Sequence, residues 1–372
     1  MKMEERDATL ALLLVQGVGS RRFFKLKEAF GSAVNVWRYA SRDKLSRIVP
    51  EKVADAIVRG PDEALVKKVR ARVAESEGWL LFYQDIDYPE ALRQIDDPPV
   101  LLFGIGSKKA LQGPCVAIVG SRKASTYGQK VCCMFSKGLA LHGITIVSGL
   151  ALGIDTWAHR ACVESGGVTV AVKGCGLDVK YPLRNTALTQ KIKEKGAVIT
   201  EFFPGVNAEP GNFPMRNRII SGLSLGVIVV EAGFKSGSLI TAYLALEQGR
   251  EVMAVPGNIF SYGSKGCHEL IREGAHLVES CEDVMDILRL CSLKPAKEEV
   301  DAAVNPEIGK AMTGKVSVVV DKLRAGPQHI DEIAASCSLP VSKVAAMLTE
   351  LEFLNMVVAL GSGIYCLKKG DE

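Results

Sequence analysis

The amino-acid sequence predicts an α/β protein: a parallel sheet covered by helices on both faces, with a small helical domain before it and a winged-helix domain after it. Three observations carry that expectation. Six apolar, β-branched runs, "VAIVG", "ITIVSG", "VTVAV", "AVITEF", "GVIVVEA" and "EVMAVPG", recur between about 115 and 290, each followed by a polar or glycine-rich turn and a helical segment. Strands alternating with helices make βαβ units, which need a parallel sheet buried on both faces. Residues up to about 75 instead show helical apolar spacing, and the stretch beyond about 313 reads as helix, helix-turn-helix and β-hairpin.

The N-terminal part, taken as 1–85, repeats one layout. "TLALLLVQGVGSRRFFKLKEAF" places two helical segments around the hairpin "QGVGS", and "RDKLSRIVPEKVADAIV" does so again with a turn at Pro50. Helix, Gly-x-Gly hairpin, helix is the plan of helix-hairpin-helix modules, in which hairpin amides face a phosphate and Arg21, Arg22, Lys25 and Lys27 would follow; a tight turn with a solvated basic face is the plainer reading. The α/β core is taken as 86–290. A polar, non-periodic stretch marks a linker at 291–312, and the winged helix follows at 313–372. Its expected recognition helix, "PVSKVAAMLTELEFL", carries one cation, Lys343, against Glu350 and Glu352. A helix built for the major groove would be more basic, so a protein-protein or accessory role suits this domain better than specific duplex binding.

Composition bounds the function loosely. At 372 residues and 48% hydrophobic, the chain carries one substantial core and one or two smaller domains. No run approaches the roughly 18 apolar residues of a membrane span, and "MKMEERDATL" has acids where a signal peptide is basic and then apolar, so a cytoplasmic location is expected. The ten cysteines show no C-x-x-C spacing and read as reduced, small apolar residues. A net charge of +4 permits a polyanionic partner without requiring one.

In a parallel sheet, ligands bind outside the carboxyl ends of the strands, so the turns there carry the functional signal. They read "GSRKASTYG" (120–128), "SGLALGID" (148–155), "KGCGLDVKYP" (173–182), "EFFPG" (201–205), "EAGFKSGSLITA" (231–242) and "PGN" (256–258). Glycine lets backbone amides approach a ligand, and serine caps a helix whose N-terminus favours an anion. Ser236, Gly237 and Ser238 after Lys235 form such a nest, and Arg122 ends the first strand, where a guanidinium can fork a phosphate. With Arg216 and Arg218 of "FPMRNRIISGLS", these cations converge on one edge and point to a phosphate-rich ligand. Within that stretch, Met215, Ile219, Ile220 and Leu223 fall at helical spacing, which predicts a helix buried on one face with Arg216 and Asn217 on another. Arg218 has a second reading, as a buttress to a loop or to Glu201.

Nucleotide enzymes fit less well. "GSRKASTYG" has an arginine and bulk where a dinucleotide fingerprint needs glycines, and in "GKAMTGK" (309–315) Val316 replaces the Ser or Thr that holds magnesium. Asp155 and His159 stand four apart as an acid-base pair would, without a nucleophile, and such a pair commonly ties a helix start. Glu201 and Glu231 end strands and are better placed to cap loops than to act as bases.

Six of these motifs in order, "VAIVGSRKASTYG", "IVSGLALGIDTWAHRACVESGG", "GCGLDVKYP", "FPMRNRIISGLS", "KSGSLITA" and "VMAVPGN", closely resemble the DNA-processing protein A family (DprA, also called Smf). With the leading module (helix-hairpin-helix or SAM-like) and the winged helix, the resemblance spans nearly the whole chain. It implies an extended Rossmann-like core that takes no nucleotide cofactor and no metal, forms a homodimer through that core, binds single-stranded DNA at the strand ends and helps load RecA recombinase during natural transformation. It places Ser121, Arg122, Lys235, Ser236, Gly237 and Ser238 on the phosphodiester backbone. Arg216, Asn217 and Arg218 would line the same site, and Phe213 would offer a stacking face. The sequence departs from the family at Lys173, where an apolar residue is usual, at Thr200, where serine is usual, and at Leu183, where a lysine follows the "YP" pair; Lys173 or Arg184 would supply that contact.

Two rivals belong to other classes. Phosphoribohydrolases of nucleoside monophosphates share a related fold and need a glutamate about one turn after the phosphate loop; here the first carboxylate is Glu247, two turns on. A duplex-specific regulator would act through the winged helix.

Overall fold

The computed structural model describes residues 3–290 and, further on, residues 319, 322–323, 326–337, 339–353, 357–361 and 363–367. The expected linker and the "GKAMTGK" stretch lie outside the described residues. The chain divides into two compact units, Met1–Ala296 and Lys297–Glu372.

The first unit is built on a sheet of strands β1 (Trp79–Phe82), β2 (Leu101–Gly106), β3 (Cys115–Val119), β4 (Thr145–Ser148), β5 (Thr169–Val172), β6 (Ala197–Thr200), β7 (Gly226–Val229), β8 (Glu251–Ala254) and β9 (His276–Leu277). Their order is β1-β2-β6-β5-β4-β3-β7-β8-β9. The six apolar runs are β3 to β8, and β3 to β9 pair in parallel. β2 joins β6, and β1 joins β2, in antiparallel fashion, an extension the alternating pattern does not announce. The sheet thus begins at Trp79, ahead of the boundary expected at 85.

Alternation along each strand feeds two core layers. Val116 and Ile118 of β3 pack with Phe135, Leu139 and Ala158, whereas Ala117 and Val119 pack with Ile219, Ile220 and Ala242. Full burial of each large apolar side chain stabilises the sheet by roughly 1.5–3 kcal/mol, which is what holds helices on both faces. The chain runs from β3 through β4 and β5 to β6, then returns to place β7 on the other side of β3. The β3–β7 junction is therefore the topological switch point, where an open α/β sheet forms its crevice.

The N-terminal helices Glu5–Leu14, Ser20–Phe30, Ala33–Tyr39, Arg42–Leu45, Glu51–Val58 and Glu63–Glu75 enclose their own core around Leu12, Phe23, Leu26 and Val53. A second cluster joins Leu10, Val66 and Val69 to Phe82, Leu101 and Phe103 of β1 and β2, so these helices and the sheet share packing. In the hairpin, Gly17 takes φ +92° and its carbonyl accepts 2.5 Å from Arg22 Nη1. Arg21 stands 3.8 Å from Asp97, so two of the four cations expected to flank an anion already have partners.

In the second unit, β10 (Gln328–His329), β11 (Val357–Gly361) and β12 (Ile364–Leu367) form a sheet ordered β10-β12-β11, beside helices Ile330–Cys337 and Val341–Phe353. Leu348, Leu351, Val344 and Val357 make its core, as a winged helix requires. Glu352, one of the acids on the expected recognition helix, accepts 3.1 Å from the Ala359 amide and so ties that helix to the wing.

Candidate nucleic-acid interface

Outside the carboxyl ends of β3 and β7 lies a cleft of about 610 Å³. Its base is set by backbone. The Ser121 amide donates 2.7 Å to the Glu231 carbonyl, which ties the ends of β3 and β7 together, and the Ser121 carbonyl accepts 3.1 Å from Ile154. Gly153, at φ +85°, makes that approach feasible, because a Cβ there would lie 2.2 Å from the Ser121 carbonyl oxygen. Leu150, at φ +58°, holds the preceding loop in a conformation that is strained for a side chain. Its carbonyl is held at 2.9 Å by Asn185 Nδ2.

Arg216 underlies the cleft. The helix Asn212–Leu223 turns Ile219, Ile220 and Leu223 into the core, as expected, but Met215 is exposed and Arg216 and Asn217 are buried. The expectation of Met215 inside and Arg216 on another side is corrected by the hydrogen bonds available. Arg216 Nη1 donates 2.6 Å to the Gly149 carbonyl and also to that of Val172, at the ends of β4 and β5. Its Nε donates 3.2 Å to Asn217 Oδ1, and Asn217 Nδ2 donates 3.3 Å to the Gly237 carbonyl, coupling the two helices that flank the cleft. Burial lowers the Arg216 pKa to about 10, partly opposed by Asp155, so the guanidinium stays charged at neutral pH.

Above it stand groups without such commitments. Arg122 and Lys235 are exposed and line the cleft. The Arg122 guanidinium carbon lies 5.3 Å from the centroid of the Phe213 ring, within cation-π range, and Tyr181 packs against Phe213 at 5.6 Å. Ser236 caps the helix Gly237–Glu247: its hydroxyl accepts 3.4 Å from the Ser238 amide and meets the Ser238 hydroxyl at 2.8 Å. The cleft thus combines two free cations, a buried cation beneath, a helix N-terminus and an aromatic face. Ser121, Arg122, Phe213, Arg216, Asn217, Lys235, Ser236, Gly237 and Ser238 all line it.

Three of the residues expected there do not. Lys173 is buried, and its ammonium donates to the carbonyls of Gly176 (3.1 Å), Leu177 (3.2 Å) and Val179 (2.6 Å). All three of its donors are in use, so it fixes the loop after β5 and only borders a smaller cavity beside Arg122. Burial lowers its pKa. Arg218 forks Glu201, with Nη1–Oε1 at 2.9 Å and Nη2–Oε2 at 2.7 Å, and approaches Asp97 at 3.5 Å, which is its buttressing reading. Arg184 is exposed on the turn Leu183–Asn185 and is not among the residues that line the cleft.

The acids and the histidine are occupied with structure. Asp155 Oδ2 accepts from the amides of Gly149 (3.1 Å) and Ala151 (3.3 Å), while His159 Nδ1 meets Thr169 Oγ1 at 2.7 Å. Glu231 accepts 2.9 Å from the Ser125 amide and also binds the Ser125 hydroxyl. Glu247 is exposed at the far end of its helix, and Thr241, about one turn into that helix, lines the cleft. Tyr181 and Tyr262 escaped the sequence reading; an aromatic in a glycine-rich or proline-rich turn at a strand end was the available signal.

Fold and site together define a Rossmann-like protein with a cationic cleft at its switch point and an appended winged helix. Comparison places it further. Residues 79–289 match the family described as DNA recombination-mediator protein A, residues 314–363 match the DprA winged helix domain, and the chain belongs to that family. It is 41% identical over 286 residues to protein Smf of Escherichia coli, covering 76% of this chain and 75% of that one. It is 50% identical over 198 residues to DNA processing protein DprA of Streptococcus pneumoniae, covering 53% and 70%. The crystal structure of the S. pneumoniae protein A superposes with TM-score 0.68 at 38% identity, over 79% of this chain and 99% of that one. A structure of DNA processing protein A from Helicobacter pylori, described for its single-stranded DNA binding mode, superposes with TM-score 0.53 at 30% identity, over 58% and 97%.

Proposed function

We propose that this chain binds single-stranded DNA in the strand-end cleft, protects incoming strands and helps load RecA recombinase on them during natural transformation, without catalysing a reaction. The observation that carries this reading is the pairing of exposed Arg122 and Lys235 with the Phe213 ring above a buried Arg216. Cations neutralise phosphates, and a ring stacks any base, so the combination suits a strand whose bases are unpaired and whose sequence varies. The relative from H. pylori described for binding single-stranded DNA supports it. Action in the cytoplasm as a homodimer joined through the Rossmann-like core belongs to the same proposal. Among the described residues, no helix is long and apolar enough to cross a membrane.

Fluorescence anisotropy of labelled oligo-dT and of a duplex, at several salt concentrations, tests the reading. The protein should prefer the single strand, with log affinity falling by about 0.7 per log unit of salt for each phosphate neutralised. The Arg122→Ala, Lys235→Ala variant should show a shallower slope. Equal affinity of both proteins for both ligands would refute the assignment, and release of free base from AMP would replace it with hydrolysis.

A further inference from the structure

Beside the cleft, two aromatic side chains stand in solvent. Phe234 follows β7 and is 52% exposed; Tyr262 follows β8 and is 67% exposed. Single exposed apolar side chains need no explanation, but a pair of large rings at the rim of a site does.

This pair is built into the fold. The Ala232 amide donates 2.7 Å to the Gly263 carbonyl, and the Gly266 amide donates 2.7 Å to the Ala232 carbonyl, which pins the turn after β8 to the turn after β7. The Tyr262 ring rests over Gly233, where a Cβ would lie 2.2 Å from ring carbon Cε1. Phe234 and Tyr262 meet edge to face, with centroids 6.5 Å apart and planes at 77°. Such a pair covers at most one face of one ring, and with Gly233 behind Tyr262 both side chains still stay more than half exposed. Tyr262 and Lys235 both line the cleft.

The two aromatic sites stand on opposite sides of the switch point. Phe213 lies against Gly174, just after β5, and Tyr262 against Gly233, just after β7. Three strand spacings separate β5 from β7 in the order β5-β4-β3-β7, or roughly 14 Å. That span is several times the 3.4 Å that one nucleotide adds along a stacked strand, about four rises.

Resting on the single-stranded DNA reading, we infer that the Phe234–Tyr262 pair stacks a second base of the bound strand, some nucleotides along from the one on Phe213, with Lys235 on the phosphates between. An apolar protein partner is a poorer occupant, because docking there would also bury the Lys235 ammonium without a carboxylate among its described partners.

The test compares oligo-dT with a backbone-matched abasic oligonucleotide, by anisotropy, for the full chain and for Tyr262→Ala, Phe234→Ala and Tyr262→Phe. Each alanine variant should bind oligo-dT about 5- to 150-fold more weakly, the span of one stacked base, and bind the abasic strand as the parent does with the same salt slope. Tyr262→Phe should restore oligo-dT affinity, which a misfolded turn would not explain. If the alanine variants bind oligo-dT as tightly as the parent while Arg122→Ala, Lys235→Ala does not, the platform is wrong and the cleft stands. Absence of oligo-dT binding by the parent removes both. Sedimentation of the alanine variants as a smaller species with unchanged oligo-dT affinity would overturn the platform and assign the rings to contact with a second copy.

Discussion

Arg216 and Gly149 are joined across 67 residues of sequence by a 2.6 Å hydrogen bond from a buried guanidinium to the carbonyl at the end of β4. Next to Gly149, Asp155 accepts two amide hydrogen bonds, and burial raises its pKa while Arg216 opposes that shift. The arginine at the base of the cleft is therefore a structural cation first, and it lends positive potential to the cleft because it cannot leave.

Arg216→Met should accordingly destabilise the first unit by about 3 kcal/mol or more in urea denaturation, since it strips two strand-end carbonyls of their donor and leaves Asp155 without its positive neighbour. Arg216→Lys should fall between, because an ammonium keeps the charge and loses the planar set of donors that serves Gly149, Val172 and Asn217 together. Arg122→Ala, at an exposed position, should stay within about 0.5 kcal/mol of the parent. Equal stability of all three variants would refute the division between structural and offered cations.

Lys173→Met should cost about 2 kcal/mol and leave the salt dependence of oligo-dT binding unchanged, because its three carbonyl partners are already in the loop it holds. A shallower salt slope for this variant would mean that the ammonium reaches a phosphate.

For Arg218 and Glu201, a double-mutant cycle is the sharper measurement. Burial raises the Glu201 pKa, opposed by Arg218, so removing either partner strands the other. Arg218→Met or Glu201→Gln alone should cost about 3–5 kcal/mol, and the double variant less than their sum. Additive losses would show that the fork contributes no coupling.

His159 supplies a pH dependence. Burial, with the Arg216 charge adding to it, lowers its pKa to about 3 from an ordinary 6.5. Below pH 6.5 the unfolded chain binds a proton that the folded chain refuses, so stability falls as pH drops from about 6.5 towards 3, by up to about 1.4 kcal/mol per unit. His159→Gln should flatten that slope relative to the parent. Parallel curves would mean that another group sets the acid limb.

Much of this was legible in the order of residues. The runs that became β3 to β8 are apolar because both faces are covered, and a parallel strand needs that regardless of its neighbours. That "GSR" and "KSGS" would line one strand-end cleft was also legible, because a turn from a strand into a helix carries glycine, serine and a helix N-terminus at fixed offsets, which are local requirements. β1, β2 and the two-residue β9 were not legible, since an antiparallel partner or a short edge strand leaves no periodic mark.

Which cations are free was decided by tertiary structure alone. Nothing in "FPMRNRIISGLS" tells that Met215 faces solvent and Arg216 the strand ends, because the carbonyls that claim Arg216 lie 67 and 44 residues away. Arg218 is withheld from the cleft by Glu201 and Asp97, and Lys173 by a loop that must first fold over it. Sequence by itself determined the class of fold and the edge of the sheet where the cleft lies, because those depend on local pattern. The folded chain decided which charges that edge offers, because a cation goes to whichever acceptors packing brings within about 3 Å, and those acceptors are distant in sequence.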